Sequence, residues 1–349
     1  MDIVYSDKHL LHRDRVEPSG SQFMPVSEVP DRVDRILAEL GKRKLDKGIV
    51  APKNFGMEFI YEIHSLEYTD FLQKAWALWE NSGRSNPALP NFWRRRDPRV
   101  NRGSEIEALL DYYSGDPGVC LVEGSWSAIH ASAECALTAA SMASETGGSA
   151  IGLCRPPGHH AGYDVMRGSC YLNNAALAAK RLRWGGARRC AVIDLDYHHG
   201  NGTQEIFYRS SDILTCSIHA DPATDYPYYC GYGDEIGEGD GENFNANFVL
   251  SRGVTSVDWF NALEAAVVKM RSFGPDALVV ALGVDTYREE KKAGCFFQLD
   301  GDDYFRMGAK LARLNLPTVV TLEGGYNLDA IGVNVVNFVE GFNDVHRGA

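Results

Sequence analysis

Residues 190–201 read CAVIDLDYHHGN, and the order of residue types in this stretch indicates the fold class. Of the first five residues all but the last, Asp194, are apolar, as in a short buried strand. The residues that follow are mostly polar and include Gly200, as in a loop. The same change from an apolar run to a polar cluster recurs at residues 150–160, 213–221, 277–285 and 318–326. We therefore predict strands at residues 150–154, 190–194, 213–217, 277–282 and 318–322.

Helix-length stretches separate these strands, at residues 126–144, 173–184, 259–272 and 302–314. This alternation predicts an α/β fold, a doubly wound parallel sheet with helices on both faces. A length of 349 residues allows one domain or two. Because the carboxyl ends of parallel strands share one edge, the polar clusters between residues 159 and 326 would converge there, so we expect a single domain over residues 1–349 with its site at that edge.

The composition excludes some function classes. Lys and Arg number 35 against 47 Asp and Glu, a net charge of −12, which disfavours nucleic acid and anionic membranes and favours cationic ligands. No apolar run approaches the roughly 18 residues of a membrane span, and the start lacks the order of a signal peptide. Eight widely spaced cysteines without a C-x-x-C pair indicate free thiols, and hence a cytoplasmic location.

The polar cluster after residue 193 has the spacing of a metal site. Asp194, Asp196 and His198 alternate, so Asp196 and His198 can face one ion from an extended segment. Asp285, at the end of another predicted strand, would complete a set of two carboxylates and one imidazole with a position left open. Zinc fits this set, as would iron, cobalt or manganese. The alternative, that these residues only cap backbone groups, leaves buried carboxylates unpaired, which is costly.

The adjacent pair His159 and His160 suits acid and base chemistry. A neutral imidazole beside a metal-bound water is a suitable general base, and a second imidazole can stabilise charge. Each histidine then needs a partner for its other nitrogen, and Asp194 and Asn201 are candidates. The alternative for such a pair is a solvated turn or a helix cap.

These stretches resemble the histone deacetylase and acetylpolyamine amidohydrolase superfamily, whose arginase-deacetylase fold the chain is then expected to share. The resemblance covers nearly the whole chain, in order. It includes His64 with Tyr68 in IHSLEY and the glycine-rich GEGDGENFNAN at 237–247. The main motifs are RPPGHH at 155–160, CYLNN at 170–174, DLDYHHGNGTQEIF at 194–207, SIH at 217–219, GVD at 283–285 and EGGY at 323–326.

The resemblance implies a role for each matching residue. His160 takes the position of the general base and acid, and Asn201 stands where many histone deacetylases carry an aspartate partner for it. Tyr326 resembles the donor of a hydrogen bond to the oxyanion, although the alternative is a packed aromatic after a glycine turn. The implied zinc ligands are Asp196, His198 and Asp285, and the implied potassium ligands are Asp194, Asp196, His198, Ser217 and Ile218. His159, paired with Asp194, would be the electrostatic partner of His160. The carbonyl of Gly168 would accept the N–H of the substrate amide, and Tyr226 would form one wall of the tunnel.

The expected activity is zinc-dependent hydrolysis of the acetamide of acetylated polyamines or diamines, which releases acetate and a free amine. The first alternative is a lysine deacetylase that acts on proteins. A non-catalytic binder of acetylated ligands would be expected to lack a ligand or Tyr326, and neither is lost. An arginase-like ureohydrolase would need further paired carboxylates around Asp285.

The substrate class depends on residues 79–118, which resemble a loop insertion. In acetylpolyamine amidohydrolases a long loop here helps to build a dimer and narrows the mouth of the site. We therefore expect a homodimer anchored by Trp93 and nearby arginines, with Glu107 and Asp116 meeting the distal ammonium of a small cationic substrate. The alternative is a solvated loop of mixed charge. Ser169 stands where relatives often have an aromatic wall, which leaves the tunnel width open.

Overall fold

A computed structural model describes residues 1–19, 22–92, 103–292 and 294–347, and its centre is a parallel sheet of eight strands. The strands pair in the order β4-β1-β5-β10-β9-β6-β7-β8, and the remaining two, β2 and β3, form an antiparallel ribbon. The strands are β1 (Asp2–Val4), β2 (Val16–Ser19), β3 (Gln22–Pro25), β4 (Ile49–Val50), β5 (Ser149–Gly152), β6 (Cys190–Asp194), β7 (Ile213–Ala220), β8 (Asn245–Leu250), β9 (Ala277–Leu282) and β10 (Thr318–Leu322).

Helices cover this sheet on both faces, as predicted. They are α1 (Asp31–Lys42), α2 (Glu58–Tyr61), α3 (Leu66–Asn81), α4 (Ile106–Tyr113), α5 (Ser125–Thr146), α6 (Asn174–Trp184), α7 (Asn201–Phe207), α8 (Ser256–Phe273), α9 (Gly301–Ala312) and α10 (Ile331–Arg347). Among the helices in the described ranges, none has both the length and the apolar composition that crossing a bilayer requires.

The side chains of each strand point alternately to the two faces of the sheet and so contribute to two separate cores. In β6, Cys190 and Val192 join the cluster packed under α3 to α6, while Ala191 and Ile193 join the cluster under α1, α8, α9 and α10. Successive side chains of a strand point to opposite faces, so an uninterrupted apolar strand serves both cores. The single α/β domain with a doubly wound sheet is confirmed.

Most predicted strands agree with the structure to within a few residues. Strands β6, β9 and β10 have the predicted bounds, whereas β5 ends two residues earlier and β7 continues to Ala220. Strands β1, β4 and β8 of this sheet were not predicted, nor were β2 and β3 of the ribbon. Of the three in the sheet, β1 and β4 come first along the chain. The first two have only three and two residues, and β8 is a half-exposed edge strand that lacks a long apolar run.

Part of the predicted insertion packs against the domain. In α4, Ile106, Leu110 and Tyr113 are buried in the same core as α3. The predicted interface anchors, Trp93 and its neighbouring arginines, lie outside the described residues. All eight cysteines are free thiols, and all but Cys230 are buried, as the cysteine spacing predicted.

Candidate active site

Polar side chains from the loops that follow four strands, β5, β6, β7 and β10, line one cavity of about 600 Å³. Strands β10, β9, β6 and β7 are neighbours in the sheet, and the loops that follow them emerge along one edge. Distant parts of the sequence therefore meet there. The lining residues include His160, Gly168, Ser169, His198, Tyr226, Tyr326, Asp116, Glu17, Glu28, Tyr229 and Lys292.

His198 faces two carboxylates at this edge. Its Nδ1 lies 3.2 Å from Oδ1 of Asp196 and 3.3 Å from Oδ2 of Asp285. The other oxygen of each carboxylate is held by the backbone: Oδ2 of Asp196 accepts the Gly324 N–H at 2.8 Å, and Oδ1 of Asp285 accepts the Tyr197 N–H at 2.9 Å. The alternative left open by the sequence was that these aspartates only cap backbone groups. Both aspartates do accept backbone hydrogen bonds, but each also directs one oxygen at His198.

This donor set fits a divalent cation. Both carboxylates are fully buried, and Oδ2 of Asp285 accepts no hydrogen bond from any residue the structure describes. Burial, together with the nearby charge of Asp196, raises the pKa of Asp285 to about 6, and a bound cation would favour the ionised carboxylate. Gly324 makes the close approach possible, because a side chain there would collide with both carboxylates. Two carboxylates and one imidazole form a common catalytic metal set.

The tandem histidines each have a partner for Nδ1. His159 Nδ1 lies 3.0 Å from Oδ2 of Asp194, and His160 Nδ1 lies 2.7 Å from Oδ1 of Asn201. The two rings are 3.9 Å apart between centroids. The structure therefore places the pairs as the sequence motifs led us to expect.

The pKa values of the two histidines are shifted in opposite directions. Burial lowers the pKa of His159, but the carboxylates of Asp194 and Asp196 outweigh it and raise that pKa to about 10. Burial lowers the pKa of His160 well below its ordinary value, and the nearby His159 and His198 lower it further. One imidazole is thus held as a cation and its neighbour as a neutral group able to accept a proton, a division of roles that suits acid and base chemistry.

Tyr326 is held by its backbone and its ring. Its N–H donates to Oε2 of Glu290 at 2.7 Å, and the guanidinium of Arg32 lies 5.0 Å from the ring centroid. Arg32 also donates to the carbonyl oxygens of Gly325, at 2.6 Å, and of Glu323. Burial raises the pKa of Tyr326 well above its ordinary value, so the hydroxyl keeps its proton and can donate a hydrogen bond into the cavity.

Asp116 connects two walls of the cavity. Its Oδ2 accepts the N–H of Gly168 at 2.9 Å and the hydroxyl of Tyr226 at 2.6 Å, and its Oδ1 accepts the N–H of Gly118 at 2.7 Å. We expected Asp116 to meet a substrate ammonium, and it does line the cavity, but its carboxylate already accepts three hydrogen bonds. Ser169 also lines the cavity, and its hydroxyl donates to the Gly118 carbonyl at 3.3 Å.

Glu107 lies elsewhere in this chain. It is in the first turn of α4, where its carboxylate pairs with Arg84, and it does not line the cavity. The expected contact between Glu107 and the substrate therefore has no support within a single chain and would require a second subunit.

Three of the residues expected to bind potassium are neighbours on β6 and β7. Asp194, the last residue of β6, is the register partner of Ser217 on β7, and Ile218 follows it. Oγ of Ser217 lies 2.8 Å from Nδ1 of His219.

Several residues that line the cavity were not predicted from the sequence. Glu17 is on β2, outside every motif, and the structure records neither a hydrogen bond nor an ion pair for its carboxylate among the described residues. Glu28, Tyr229 and Lys292 also line the cavity. Glu28 precedes α1, and Tyr229 and Lys292 lie in the loops after β7 and β9 but beyond the polar clusters that end at residues 221 and 285. The pattern that located the other residues therefore gave no signal for them.

Comparison with known proteins agrees with this geometry. The histone deacetylase domain family matches residues 26–342. Acetylpolyamine amidohydrolase 1 of Pseudomonas aeruginosa is 46% identical over 348 residues, 99% of each chain, and the acetylpolyamine amidohydrolase of Mycoplana ramosa is 38% identical over 343 residues, 98% of this chain and 99% of that one. The crystal structure of an acetylpolyamine aminohydrolase from Burkholderia pseudomallei superposes with a TM-score of 0.93 at 34% identity and covers 99% of each chain. The chain therefore belongs to the histone deacetylase family, and it is a deacetylase hydrolase.

Proposed function

We propose that this enzyme hydrolyses the acetamide of small acetylated polyamines or diamines, releasing acetate and the free amine. The observation that carries the reaction type is that His160, His198 and Tyr326 line one cavity and that the buried carboxylate of Asp285 contacts His198. Relatives that bear the name acetylpolyamine amidohydrolase over nearly the full length support the substrate class.

Asp196, His198 and Asp285 would hold the catalytic metal ion. Zinc suits these donors, as iron or cobalt would. When bound, such an ion polarises the acetyl carbonyl and makes a water molecule more acidic.

The tandem histidines handle the proton. His160 is neutral and lines the cavity, so it can accept a proton from the attacking water and return it to the departing amine. Asn201 holds its Nδ1, while His159, kept positive by Asp194, stabilises the negative charge that develops nearby.

Tyr326 and the cavity walls position the acetyl group. The neutral hydroxyl of Tyr326 donates to the oxygen that becomes negative during attack. The Gly168 carbonyl would accept the substrate amide N–H, and the Tyr226 ring, 5.0 Å from that of His160, packs beside the acetyl group.

Charge and size favour a small cationic amine. Glu17 and Asp116 are carboxylates in a cavity whose volume suits a small molecule, although Lys292 also lines it. A second candidate is deacetylation of lysine in proteins, and the small side chain of Ser169 favours it, because an aromatic residue there would narrow the cavity. The non-catalytic alternative is disfavoured, since all the proposed ligands and Tyr326 are present.

Turnover by the zinc-loaded full chain tests the substrate class. We expect kcat/KM to be higher for acetylputrescine and acetylspermidine than for an acetyl-lysine peptide. A neutral N-alkylacetamide of matched length controls for the cationic group. Faster turnover of the peptide would replace the polyamine proposal with the lysine deacetylase.

Three further expectations join this proposal. Potassium would bind through Asp194, Asp196, His198, Ser217 and Ile218, and a higher Tm in potassium than in sodium chloride would support it. A homodimer would appear in light scattering as twice the chain mass. The free cysteines suit a reducing compartment, the cytoplasm, which fractionation of cells would test.

A further inference from the structure

The hydroxyl of Tyr326 has to stay free for the substrate, so other contacts must hold this residue in place. Among the described residues, the polar contacts recorded for Tyr326 are those of its backbone N–H and its ring. The two residues before it are Gly324 and Gly325, and Gly325 has a φ of +122°. Glycines leave the backbone many conformations when nothing restrains it. The position of the hydroxyl therefore depends on contacts that fix the backbone at residue 326.

Glu290 binds two successive backbone N–H groups at this point. Its Oε2 accepts the N–H of Tyr326 and the N–H of Asn327, each at 2.7 Å. Its Oε1 accepts the N–H of Lys292 at 3.1 Å. A backbone N–H can only donate, so the direction of each of these hydrogen bonds is fixed. The side chain of Glu290 thus ties the loop after β9 to the loop that carries Tyr326.

The burial of Glu290 is explained by these contacts. The residue is 2% exposed, and no ion pair is recorded for its carboxylate among the residues that the structure describes. A buried carboxylate costs free energy unless hydrogen bonds compensate for the lost water, and here three backbone N–H groups do so. The same two loops are joined once more, because Nδ2 of Asn327 donates to the Glu289 carbonyl at 3.1 Å.

We propose that Glu290 is a positioning residue for Tyr326: its carboxylate fixes the backbone at residues 326 and 327 and so keeps the hydroxyl where negative charge develops during attack. Glu290 does not line the cavity, so it acts only through Tyr326. Arg32 binds carbonyl oxygens of the same loop, and Glu290 binds its N–H groups. Without Glu290 the hydroxyl would occupy several positions, and most of them would be too far from the oxyanion to stabilise it. This inference rests on the oxyanion role proposed for Tyr326.

A double-mutant cycle with Tyr326→Phe tests the proposal. We expect Glu290→Ala to lower kcat about tenfold with little change in KM or metal content, because the donor is misplaced rather than absent. In the Tyr326→Phe background the same change should alter kcat less than about twofold, since no hydroxyl is left to position. Glu289→Ala changes the exposed neighbour, is the matched control and should behave as wild type. An equal loss of kcat in both backgrounds would overturn the proposal.

Two conservative variants separate the contact from the charge and carry the test if Glu290→Ala does not fold. One oxygen of Glu290 makes both contacts with the Tyr326 loop, so the amide oxygen of Glu290→Gln can replace it. Glu290→Asp keeps the charge but is one methylene too short to reach. We expect kcat of the Gln variant within about threefold of wild type and that of the Asp variant about tenfold lower. The reverse order would show that charge, rather than contact, is what Glu290 contributes.

Fluorine NMR of the zinc-loaded full chain labelled with 3-fluorotyrosine gives an independent measurement. The Tyr326 signal is the one lost in Tyr326→Phe. It should be a single narrow line in wild type and in Glu290→Gln, and it should be shifted or broadened in Glu290→Asp. An unchanged line in Glu290→Asp would overturn the proposal. Absent turnover of every acetylated amine by the wild type would instead refute the proposed function, and the fluorine signal would still report whether Glu290 holds Tyr326.

Discussion

Oδ2 of Asp285 lies 3.3 Å from Nδ1 of His198, although the two residues follow different strands, β9 and β6. These strands are neighbours in the sheet, and Asp194 of β6 is the register partner of Ala281 of β9. The contact thus follows from strand pairing, and it places a buried carboxylate without a hydrogen bond to Oδ2 next to a second carboxylate, Asp196. A cation between them would remove the repulsion.

Asp285→Asn should abolish high-affinity binding of the divalent ion, because the amide replaces one of two anionic ligands. Elemental analysis of the purified variant should show a large loss of metal, and hydrolysis should fall with it. Asp240→Asn changes an exposed carboxylate away from the cavity and is the matched control. Full metal content together with full activity in Asp285→Asn would contradict the assignment.

Tyr326→Phe should lower kcat by about 10²-fold or more while the metal content stays unchanged, because one oxyanion donor is worth a few kcal/mol in the transition state. The ring contact with Arg32 does not use the hydroxyl, so the loop should keep its position. Steady-state kinetics on an unactivated acetamide measures the loss, and Tyr61→Phe, a half-exposed tyrosine outside the cavity, controls for it. Near-normal kcat would remove Tyr326 from the mechanism.

Glu17→Gln should raise KM for acetylputrescine about threefold and leave a neutral acetamide of the same length unchanged, because a partly exposed ion pair is worth up to about 1 kcal/mol. Its carboxylate lines the cavity and has neither a hydrogen bond nor an ion pair among the described residues, so the loss should affect only the charged substrate. Lys292→Gln should act in the opposite direction and lower that KM. Equal effects of Glu17→Gln on both substrates would show that charge is not what this residue contributes.

Asp116→Asn should impair both substrates, in contrast to Glu17→Gln. Its Oδ2 accepts from Gly168 and from Tyr226, while its Oδ1 accepts from Gly118. In either orientation of an asparagine amide the NH2 group would face a backbone N–H, of Gly118 or of Gly168, so the three contacts cannot all be kept. We expect kcat/KM to fall about tenfold for charged and neutral acetamides alike, since misplaced walls affect orientation of the acetyl group. A loss confined to the cationic substrate would instead support direct contact between Asp116 and the ammonium.

We expect Glu28 to make the free energy of unfolding depend on pH in the acid range. Its buried carboxylate forms ion pairs with Arg15, Arg32 and Arg155. Burial would raise the pKa of Glu28, but the three arginines outweigh it and lower the pKa to about 2. A folded-state pKa below the unfolded value stabilises the fold above about pH 4.5, and this contribution, about 3 kcal/mol, is lost as pH falls toward 2.

Urea unfolding of wild type and Glu28→Gln at a series of pH values checks this dependence. At neutral pH the variant should be about 3–5 kcal/mol less stable, because its arginines lose a buried counter-charge. That difference should shrink as the pH is lowered below about 4.5. A difference that is constant with pH would show that Glu28 acts through packing rather than charge.

The sequence by itself determined five of the eight strands of the sheet and the grouping of the candidate metal ligands. Apolar runs of strand length, separated by helix-length stretches, are a local pattern, and β6, β9 and β10 were predicted with their observed bounds. Because a parallel sheet brings its carboxyl ends to one edge, Asp196, His198 and Asp285 could be grouped without coordinates. This inference needs only residue order and the geometry of a strand.

Only the tertiary structure decided how loops outside the sheet meet the site. Glu17 and Tyr229 reach the cavity through segments whose course follows no repeating pattern, and Glu107 pairs with Arg84 instead of lining it. Asp116 and Tyr226 are far apart in sequence, yet a hydrogen bond of 2.6 Å joins them. The direction of a side chain on a loop is fixed by its partners in space rather than by its neighbours in the chain, and residue order carries no record of those partners.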